Sequence, residues 1–493
     1  MNNAVTNIRF SRLPQRPIEG RAFQVWFGYF LLSLILIPIL RYVTRPDVSI
    51  VQQGLAYLVV LVCLLPSVIH LAKRQPGVPV FPIICLVYAA SYALPAFYAE
   101  PLVESSWGGG ILIVPARYTE RALRLTLAGI IALECGFWFF RFSILNLLVP
   151  KVRLTLEAVR AQPLATVMGI TGSALLWLGL TERVVIPPRL FAVYGLMIKL
   201  SLLGFGLLYW YFLKGNLRWW GRLAYVVIFA ILVMLGMAMG NVRNLLDPIL
   251  IVTSVNWMAR KKFPWHFAMI GVLFFAFIQP IKGEYRNMVW KQGMASTSIF
   301  DRIAIWSTLS VTSWNDLLHG RRSVQSSTRS SIQRTDCIHL FGHVLTMTPR
   351  HVPFQLGKTY DYFIYTLIPR AIWPKKPNAQ VANEFFGVAY GLQDPASIGT
   401  TSIGMPHLVE SYVNFGALGV LFIMGILGMV YATMERLFNH ENAGEGGIAI
   451  FAVILTSLIN IETALAPSFG SILQSIIIYI VALRWVRERR ANP

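Results

Sequence analysis

The sequence has little charge, and few of its charged residues are acidic. Only 13% of its 493 residues are Asp, Glu, Lys or Arg, whereas soluble domains carry about 25%. Asp and Glu number 22 against 43 Lys and Arg, and 56% of the chain is hydrophobic. Low charge with long apolar runs excludes an ordinary soluble enzyme and indicates an integral membrane protein. The net charge of +21 therefore does not point to a nucleic-acid partner.

Motifs for nucleotides, metals and disulfides are also missing. The sequence has no Asp-x-Asp, GxxxxGK[ST] or HExxH, and no GxGxxG follows a strand pattern. Its seven Asp residues are scattered, so we expect no metal and no cofactor. His339 and His343 share an i, i+4 helix face, but without an evident third ligand a packed pair is favoured over zinc. The four cysteines make no disulfide framework, since only Cys337 lies outside the apolar runs.

Long apolar runs dominate what is present. Twelve are long enough to cross a ~30 Å hydrocarbon core, and they predict an all-α polytopic integral membrane protein with about 12 transmembrane helices and one long helical outer loop between spans 9 and 10. The runs cover residues 22–40, 51–71, 79–97, 119–141, 163–181, 191–213, 222–240, 243–259, 264–281, 408–433, 447–463 and 469–484. The predicted parts are an N-terminal tail (1–21), spans 1 to 9 (22–281), the loop domain (282–407), spans 10 to 12 (408–484) and a C-terminal tail (485–493).

The distribution of Lys and Arg predicts the orientation. With the N-terminus in the cytoplasm, the cytoplasmic segments hold 21 Lys and Arg, whereas the short outer segments hold eight. This positive-inside asymmetry places both termini in the cytoplasm. The loop holds a further 13 of these cations. Long loops are exempt from the rule, so a cationic outer loop points to an anionic substrate. Helical periodicity is evident at Ser298–Leu318 and Thr335–Met347.

Several cations lie where a lipid-linked anion would be held. Arg243, Lys282 and Arg286 are predicted at the outer headgroup level, while Arg334 and Arg370 follow in the loop. Arginine forks bind phosphate oxygens bidentately and stay charged in low dielectric. The alternative is nonspecific binding of lipid phosphates, or for Arg243 an i, i+4 pair with an acid.

Acidic candidates for chemistry are few. Glu410 begins the tenth span and is the best candidate for a general base, although anchoring a helix through an Arg partner is an alternative role. Glu134 and Lys199 lie inside spans, where a structural ion pair is favoured over a transport route.

Three motifs in the last third carry a family resemblance. Gly357-Lys-Thr-Tyr360, Ile368-Pro-Arg-Ala-Ile-Trp-Pro-Lys-Lys-Pro377 and Glu410-Ser-Tyr-Val-Asn-Phe-Gly416 together resemble the Wzy-type O-antigen and exopolysaccharide polymerases, which polymerise oligosaccharide repeat units. The resemblance implies a metal-independent glycosyltransferase of the bacterial inner membrane that works on the periplasmic side. It would transfer a glycan from undecaprenyl pyrophosphate to a sugar hydroxyl of another lipid-linked unit.

The resemblance also implies roles and partners. Arg243, Arg286, Arg370 and Glu410 are the expected catalytic residues, and the candidates for binding substrate are Arg334, Lys282, Lys376, Trp373, Asp336 and Tyr360. Expected partners are lipid-linked oligosaccharides, membrane lipids, a chain-length regulator and a flippase.

Three other functions stay open. An O-antigen ligase of the same superfamily would need a prominent His in its outer loop, which His343 or His351 could supply. A transporter would show internal repeats, and none is evident. A scaffold subunit would use the cationic loop to bind acidic polysaccharide or lipid.

Overall fold

In this computed structural model the described part of the chain is mainly helical with almost no sheet, which confirms the predicted all-α membrane fold. The structure describes residues 18–73, 77–104, 111–180, 191–238, 242–278, 281, 284, 285, 288, 298–321, 335–368, 373, 375–377, 380–398 and 402–488. Two short strands, β1 (Leu102–Glu104) and β2 (Ile111–Ile113), pair antiparallel with Leu102 opposite Ile113.

The first half of the described chain holds eleven α-helices. They are α1 (Ile18–Val43), α2 (Ile50–Ala72), α3 (Val80–Tyr88), α4 (Leu94–Tyr98), α5 (Ala116–Phe142), α6 (Leu145–Leu148), α7 (Ala158–Leu180), α8 (Phe191–Leu213), α9 (Trp219–Ala238), α10 (Val242–Arg260) and α11 (Trp265–Ile278). A π-helical turn, Ala89–Ala93, joins α3 to α4.

The second half holds seven more. They are α12 (Ile299–Leu318), α13 (Cys337–Met347), α14 (Lys358–Leu367), α15 (Val381–Ala389), α16 (His407–Phe438), α17 (Gly444–Leu458) and α18 (Leu465–Arg484), with a 3₁₀ turn at Pro395–Ser397. The periodicity at Ser298–Leu318 and Thr335–Met347 thus predicted α12 and α13 correctly.

Each of the twelve predicted apolar runs falls on a helix. Eight helices among the described residues are long and apolar enough to cross a membrane, and the apolar helix α17 is shorter. The N-terminal span is barely covered by the rest of the protein, since 6% of the residues in its most apolar stretch are buried. In Val80–Tyr98 the corresponding share is 72%. Predicted orientation and domain boundaries stay predictions.

Glycines let α5 and α16 pack backbone against backbone. A Cβ added to Gly136 would lie 1.9 Å from the carbonyl oxygen of Gly425, and one added to Gly428 would lie 2.0 Å from that of Leu133. Small residues allow such approach where van der Waals packing drives helix association in lipid. Nearby, the rings of Phe81 and Phe137 stack with centroids 3.7 Å apart. The close glycine contacts between α5 and α16 fix α16, which carries Glu410 at one end.

The helices of the predicted loop pack onto the membrane helices. Helix α13 contacts α5, and α14 lies along α18. The ring of Phe341 on α13 packs edge-to-face on Tyr412 of α16, with centroids 5.6 Å apart. The loop therefore brings α14 against the start of α16 and α18, where the candidate site is found.

Candidate functional site

Glu410 joins three helices at one point. Its side chain is completely buried. Thr359 Oγ1 on α14 donates to Glu410 Oε1 at 2.8 Å, and the backbone N–H of Leu465, the first residue of α18, donates to Oε2 at 2.7 Å. Because both carboxyl oxygens accept a hydrogen bond, Glu410 holds α14 and α18 against α16.

Asn414, one turn after Glu410, completes the same cluster. Its Nδ2 donates to Thr359 Oγ1 at 2.7 Å, and its Oδ1 accepts from the N–H of Gly357 at 3.0 Å. Thr359 can therefore use its single O–H proton only towards Glu410. The motifs around Gly357 and Glu410, far apart in sequence, thus form one hydrogen-bonded unit, the Glu410 cluster (Gly357, Thr359, Glu410, Asn414 and Leu465).

A kink in α16 follows the cluster directly. Phe415 and Gly416 leave helical geometry, and Gly416 has φ +65. A side chain there would be strained, and an added Cβ would lie 3.2 Å from the ring of Phe354. The ring of Phe415 stacks on Tyr360 with centroids 6.3 Å apart. The kink therefore ends the first segment of α16 beside the aromatic side of the cluster.

The Tyr360 hydroxyl is a buried donor without a hydrogen-bond partner among the described residues. Burial raises the pKa of Tyr360 above the ordinary 10.0, and the nearby Glu410 charge raises it further, while the neighbouring Ser411 and Asn414 side chains offset part of that rise. The phenol therefore stays protonated at neutral pH and can donate to a ligand oxygen. Of the predicted substrate-binding residues that the structure describes, Tyr360 is the one brought to Glu410.

A polar cavity of about 490 Å³ lies on the other side of the start of α18. It is bounded by α8, α9, α10, α17 and α18, at the end of the bundle where α8, α10 and α18 begin. Hydroxyl groups dominate its polar lining: Ser201, Thr456, Ser457, Thr463, Ser468, Ser471, Ser475 and Tyr479. Amides of Asn244, Gln380 and Asn460 are also present.

Among the described side chains, two charged ones line this polar cavity, Lys199 of α8 and Asp247 of α10. Lys199 Nζ donates to the hydroxyls of Ser471 and Ser475 on α18, the latter at 3.3 Å. Charges inside a membrane span are costly and lie in a bundle interior or a polar cavity. A structural ion pair was predicted for both Lys199 and Glu134, and this stays a prediction. The buried Oε1 of Glu134 has no hydrogen-bond partner among the described residues.

Asn383 ties the rim of the polar cavity to the predicted loop. Its Nδ2 donates to Thr463 Oγ1 at 3.1 Å and to Gln380 Oε1 at 2.7 Å. Its Oδ1 accepts from the N–H groups of Met405 and Ala464, at 3.0 and 3.2 Å. One buried amide therefore fixes α15 and the turn before α18 in one arrangement.

The remaining described candidates lie elsewhere. Lys376 Nζ donates to the carbonyl oxygens of Tyr365 and Ile368, at 3.1 and 2.6 Å, and the Trp373 ring packs edge-on against Tyr365. These two therefore gather at the far end of α14 from Tyr360. Asp336 caps α13 and bonds His339, through the backbone N–H at 3.0 Å and Nδ1 at 2.5 Å.

The predicted phosphate-binding cations fall largely on parts of the chain that the structure does not describe. Arg243 belongs to the first turn of α10, one turn before Asp247, but its side chain lies outside the described residues. Backbone and side chain both lie outside them for Lys282, Arg286, Arg334 and Arg370. Their roles stay predictions, although the backbone of Arg243 lies at the end of α10 that borders the polar cavity.

The comparisons with known proteins agree with the C-terminal motifs. Residues 336–489 match the family model described as O-antigen polysaccharide polymerase Wzy. The resemblance to Wzy polymerases is confirmed. No curated protein and no solved structure matches the chain. The Wzy match supports a role as a polysaccharide polymerase in O-antigen synthesis, in a multi-pass membrane protein.

The Wzy match covers the Glu410 cluster, Asn383 and the α18 side of the polar cavity. It also covers an apolar groove of about 480 Å³ that α14, α16 and α18 form at the opposite face of α18. Tyr360, Ile364, Ile426, Leu465, Phe469 and Leu473 are among its lining residues. The first turns of α18 therefore separate a polar cavity from an apolar groove, with the Glu410 cluster at their common end.

Sequence reasoning missed Thr359, Asn383 and the serines of α18. Thr359 lies within the Gly357–Tyr360 motif but carries no chemical feature that singles it out there, and Asn383 and the serines lie outside the quoted motifs. The i, i+4 spacing of Ser471 and Ser475 places both on one face, which is the only signal the sequence offered. The ligase candidate His343 is buried, and its Nε2 bonds the carbonyl oxygen of Tyr390 at 2.9 Å.

Proposed function

We propose that the protein polymerises lipid-linked oligosaccharide repeat units on the periplasmic side, transferring the glycan from undecaprenyl pyrophosphate to an acceptor hydroxyl without a metal. The observation that carries this proposal is the adjacency of the polar cavity and the apolar groove across the start of α18. A polyprenyl-linked sugar has an apolar chain and a polar head. A site for it needs both kinds of surface within one molecule's reach.

In this proposal the polyprenyl chain lies in the apolar groove. Ile364 and Ile426, both exposed, would contact it in place of bilayer lipid. The head would pass over the N-terminal end of α18, next to the Tyr360 hydroxyl. That hydroxyl would donate to a phosphate or sugar oxygen.

The sugar would occupy the polar cavity. Hydroxyls, amides, Lys199 and Asp247 offer both donors and acceptors, which suits the many hydroxyls of a glycan. Arg243 would hold the pyrophosphate at the rim, with Arg286 and Arg370 contributed by the loop. Fixed cations stabilise the charge that develops on the leaving pyrophosphate and need no metal.

Glu410 has two proposed roles, and its hydrogen bonds favour one of them. As a general base it would take the proton of the attacking hydroxyl. Its observed bonds to Thr359 and Leu465 favour a positioning role, because they hold α14 and α18 around the cavity and groove.

Reconstitution tests the proposal. Purified protein in liposomes with lipid-linked repeat units should produce a ladder of longer glycans on a gel without added factors. Leaflet exchange of the lipid without elongation would instead identify a flippase.

The matched variants are Lys199→Met, in α8, and Lys214→Met, directly after the last residue of that helix. Lys214 Nζ lies 4.9 Å from the centre of the Trp210 ring. Losing a charged hydrogen-bonding group in the cavity should slow elongation by about 10- to 100-fold, whereas Lys214→Met should leave it unchanged. Equal rates in the two variants would remove the cavity from the proposal.

A further inference from the structure

A second cavity lies at the opposite end of α16 from the Glu410 cluster. It has a volume of about 340 Å³, and its lining includes Arg141, Lys151, Arg436 and His440. We call it the basic cavity. It lies where α2, α5 and α16 end, the end predicted to face the cytoplasm. Nothing in the proposed polymerase reaction uses it.

The acidic residues of the basic cavity are already paired. Glu435 Oε2 bonds Arg141 Nη1 at 3.2 Å, and its Oε1 accepts from the N–H of Phe81 at 3.1 Å. Glu441 bonds Lys261 Nζ at 2.8 Å. Each of these two carboxylates is therefore paired with one cation, and neither pairs with the remaining basic residues of the lining.

Two basic side chains of the same lining have no such partner. Among the described residues, Lys151 and Arg436 bond no carboxylate, and Arg436 has only a 3.4 Å bond from Nε to the carbonyl oxygen of Val149. The ring nitrogens of His440 are buried against the backbone of Val152 and Leu437, so His440 shapes the wall of the cavity. A cavity with an unpaired guanidinium and an unpaired ammonium group fits a phosphate oxygen cluster.

The surroundings indicate where such a phosphate comes from. Beside the basic cavity, α6 and the residue before it form an exposed apolar stretch. Ile144, Leu147 and Leu148 are 78%, 71% and 74% exposed. Apolar side chains next to basic ones are typical of protein surface that meets the headgroup boundary. Basic pockets between transmembrane helices on the cytoplasmic side bind anionic headgroups.

We propose that the basic cavity binds the phosphate headgroup of an anionic membrane lipid, with Lys151 and Arg436 as its ligands. The acyl chains would lie against Ile144, Leu147 and Leu148. Bound there, the lipid would bridge the segment after α6 and the end of α16, next to the Arg141–Glu435 pair.

Native mass spectrometry of the delipidated full-length protein tests this proposal. Phosphatidylglycerol, phosphatidylcholine and inorganic phosphate are added separately, and retained adducts are counted. We expect phosphatidylglycerol to be retained and phosphatidylcholine to be lost. Equal retention of the two lipids would overturn the proposal, and so would binding of inorganic phosphate with no retention of phosphatidylglycerol.

The decisive variant is Lys151→Ala/Arg436→Ala. Its control, Lys214→Ala/Arg222→Ala, removes the same two kinds of charge from the same predicted side. The first should weaken phosphatidylglycerol binding by on the order of 10-fold or more, and the control should not. Equal binding by the two would overturn the assignment. Lys151→Ala alone, at an exposed position, should show a smaller loss and guards against misfolding of the double variant.

Discussion

Replacing Glu410 distinguishes a residue that positions helices from one that moves protons. Glu410→Ala removes the acceptors of Thr359 Oγ1 and of the Leu465 N–H, which are bonded at 2.8 and 2.7 Å. Each hydrogen bond to a charged group contributes about 1.5–3 kcal/mol, so the two together are worth about 3–6 kcal/mol. Both donors are left buried, and Thr359 has no other use for its proton because Asn414 already donates to its oxygen.

Glu410→Gln keeps most of this arrangement. The amide oxygen can still accept from the Leu465 N–H, and the amide nitrogen can donate to the second lone pair of Thr359 Oγ1. One hydrogen bond is therefore reversed, and the Thr359 proton alone loses its acceptor. A positioning role therefore predicts that Gln retains polymer formation within about 10-fold, whereas Ala loses both the protein's thermal stability and its activity. A general base cannot be replaced by an amide, and its loss costs about 10²–10⁴ in rate.

The assay combines chain elongation in liposomes with a thermal unfolding curve of each purified variant. Thr359→Val is the companion, since it removes one partner of Glu410 without touching the carboxylate. If Glu410→Gln unfolds like the unmodified protein yet makes no polymer, the positioning role is wrong and Glu410 is the base.

Further predictions concern other parts of the site. Arg243→Ala should reduce long-chain polymer by on the order of 10²–10³, Arg243→Lys should rescue it poorly because a point charge does not replace a planar fork, and normal polymer in both would exclude the residue. Activity should persist in EDTA, and a loss restored by Mg²⁺ would contradict the metal-free reaction. Gly416→Ala should lower stability by about 1–2 kcal/mol through its positive φ, unlike Gly425→Ala in the same helix, as thermal unfolding can measure. Burial lowers the pKa of His343 below the ordinary 6.5, so the unfolded chain binds this proton first and stability should fall as pH drops below about 6.5; His343→Gln should flatten that dependence.

The helices were predictable because hydrophobicity alone decides which segments cross a bilayer. Each span must satisfy its backbone internally, so an apolar run of sufficient length has one available structure. Helices α12 and α13 were predictable from the helical periodicity of their apolar residues. Neither hydrophobicity nor periodicity could show that α14 packs along α18, because nothing local in Lys358–Leu367 specifies its partner.

The candidate site was predictable only in part. Glu410 and Tyr360 stood out, one as a carboxylate at a membrane edge and the other within a family motif. The partners that define their roles, Thr359 and the N–H of Leu465, are respectively an ordinary hydroxyl and a backbone group. Chemical type marks neither, since each acquires its role only when α14 and α18 meet at α16.

The position of Glu410 has a consequence for how the two surfaces work together. The same carboxylate fixes α14, which lines the apolar groove, and the first residue of α18, whose two faces border the groove and the polar cavity. A shift of α18 would therefore change both surfaces at once. A substrate that fills both would be sensed at a single buried hydrogen-bonded point, so mutations in the Glu410 cluster should alter recognition of the lipid and of the glycan together. Variants of Lys199 should alter recognition of the glycan alone.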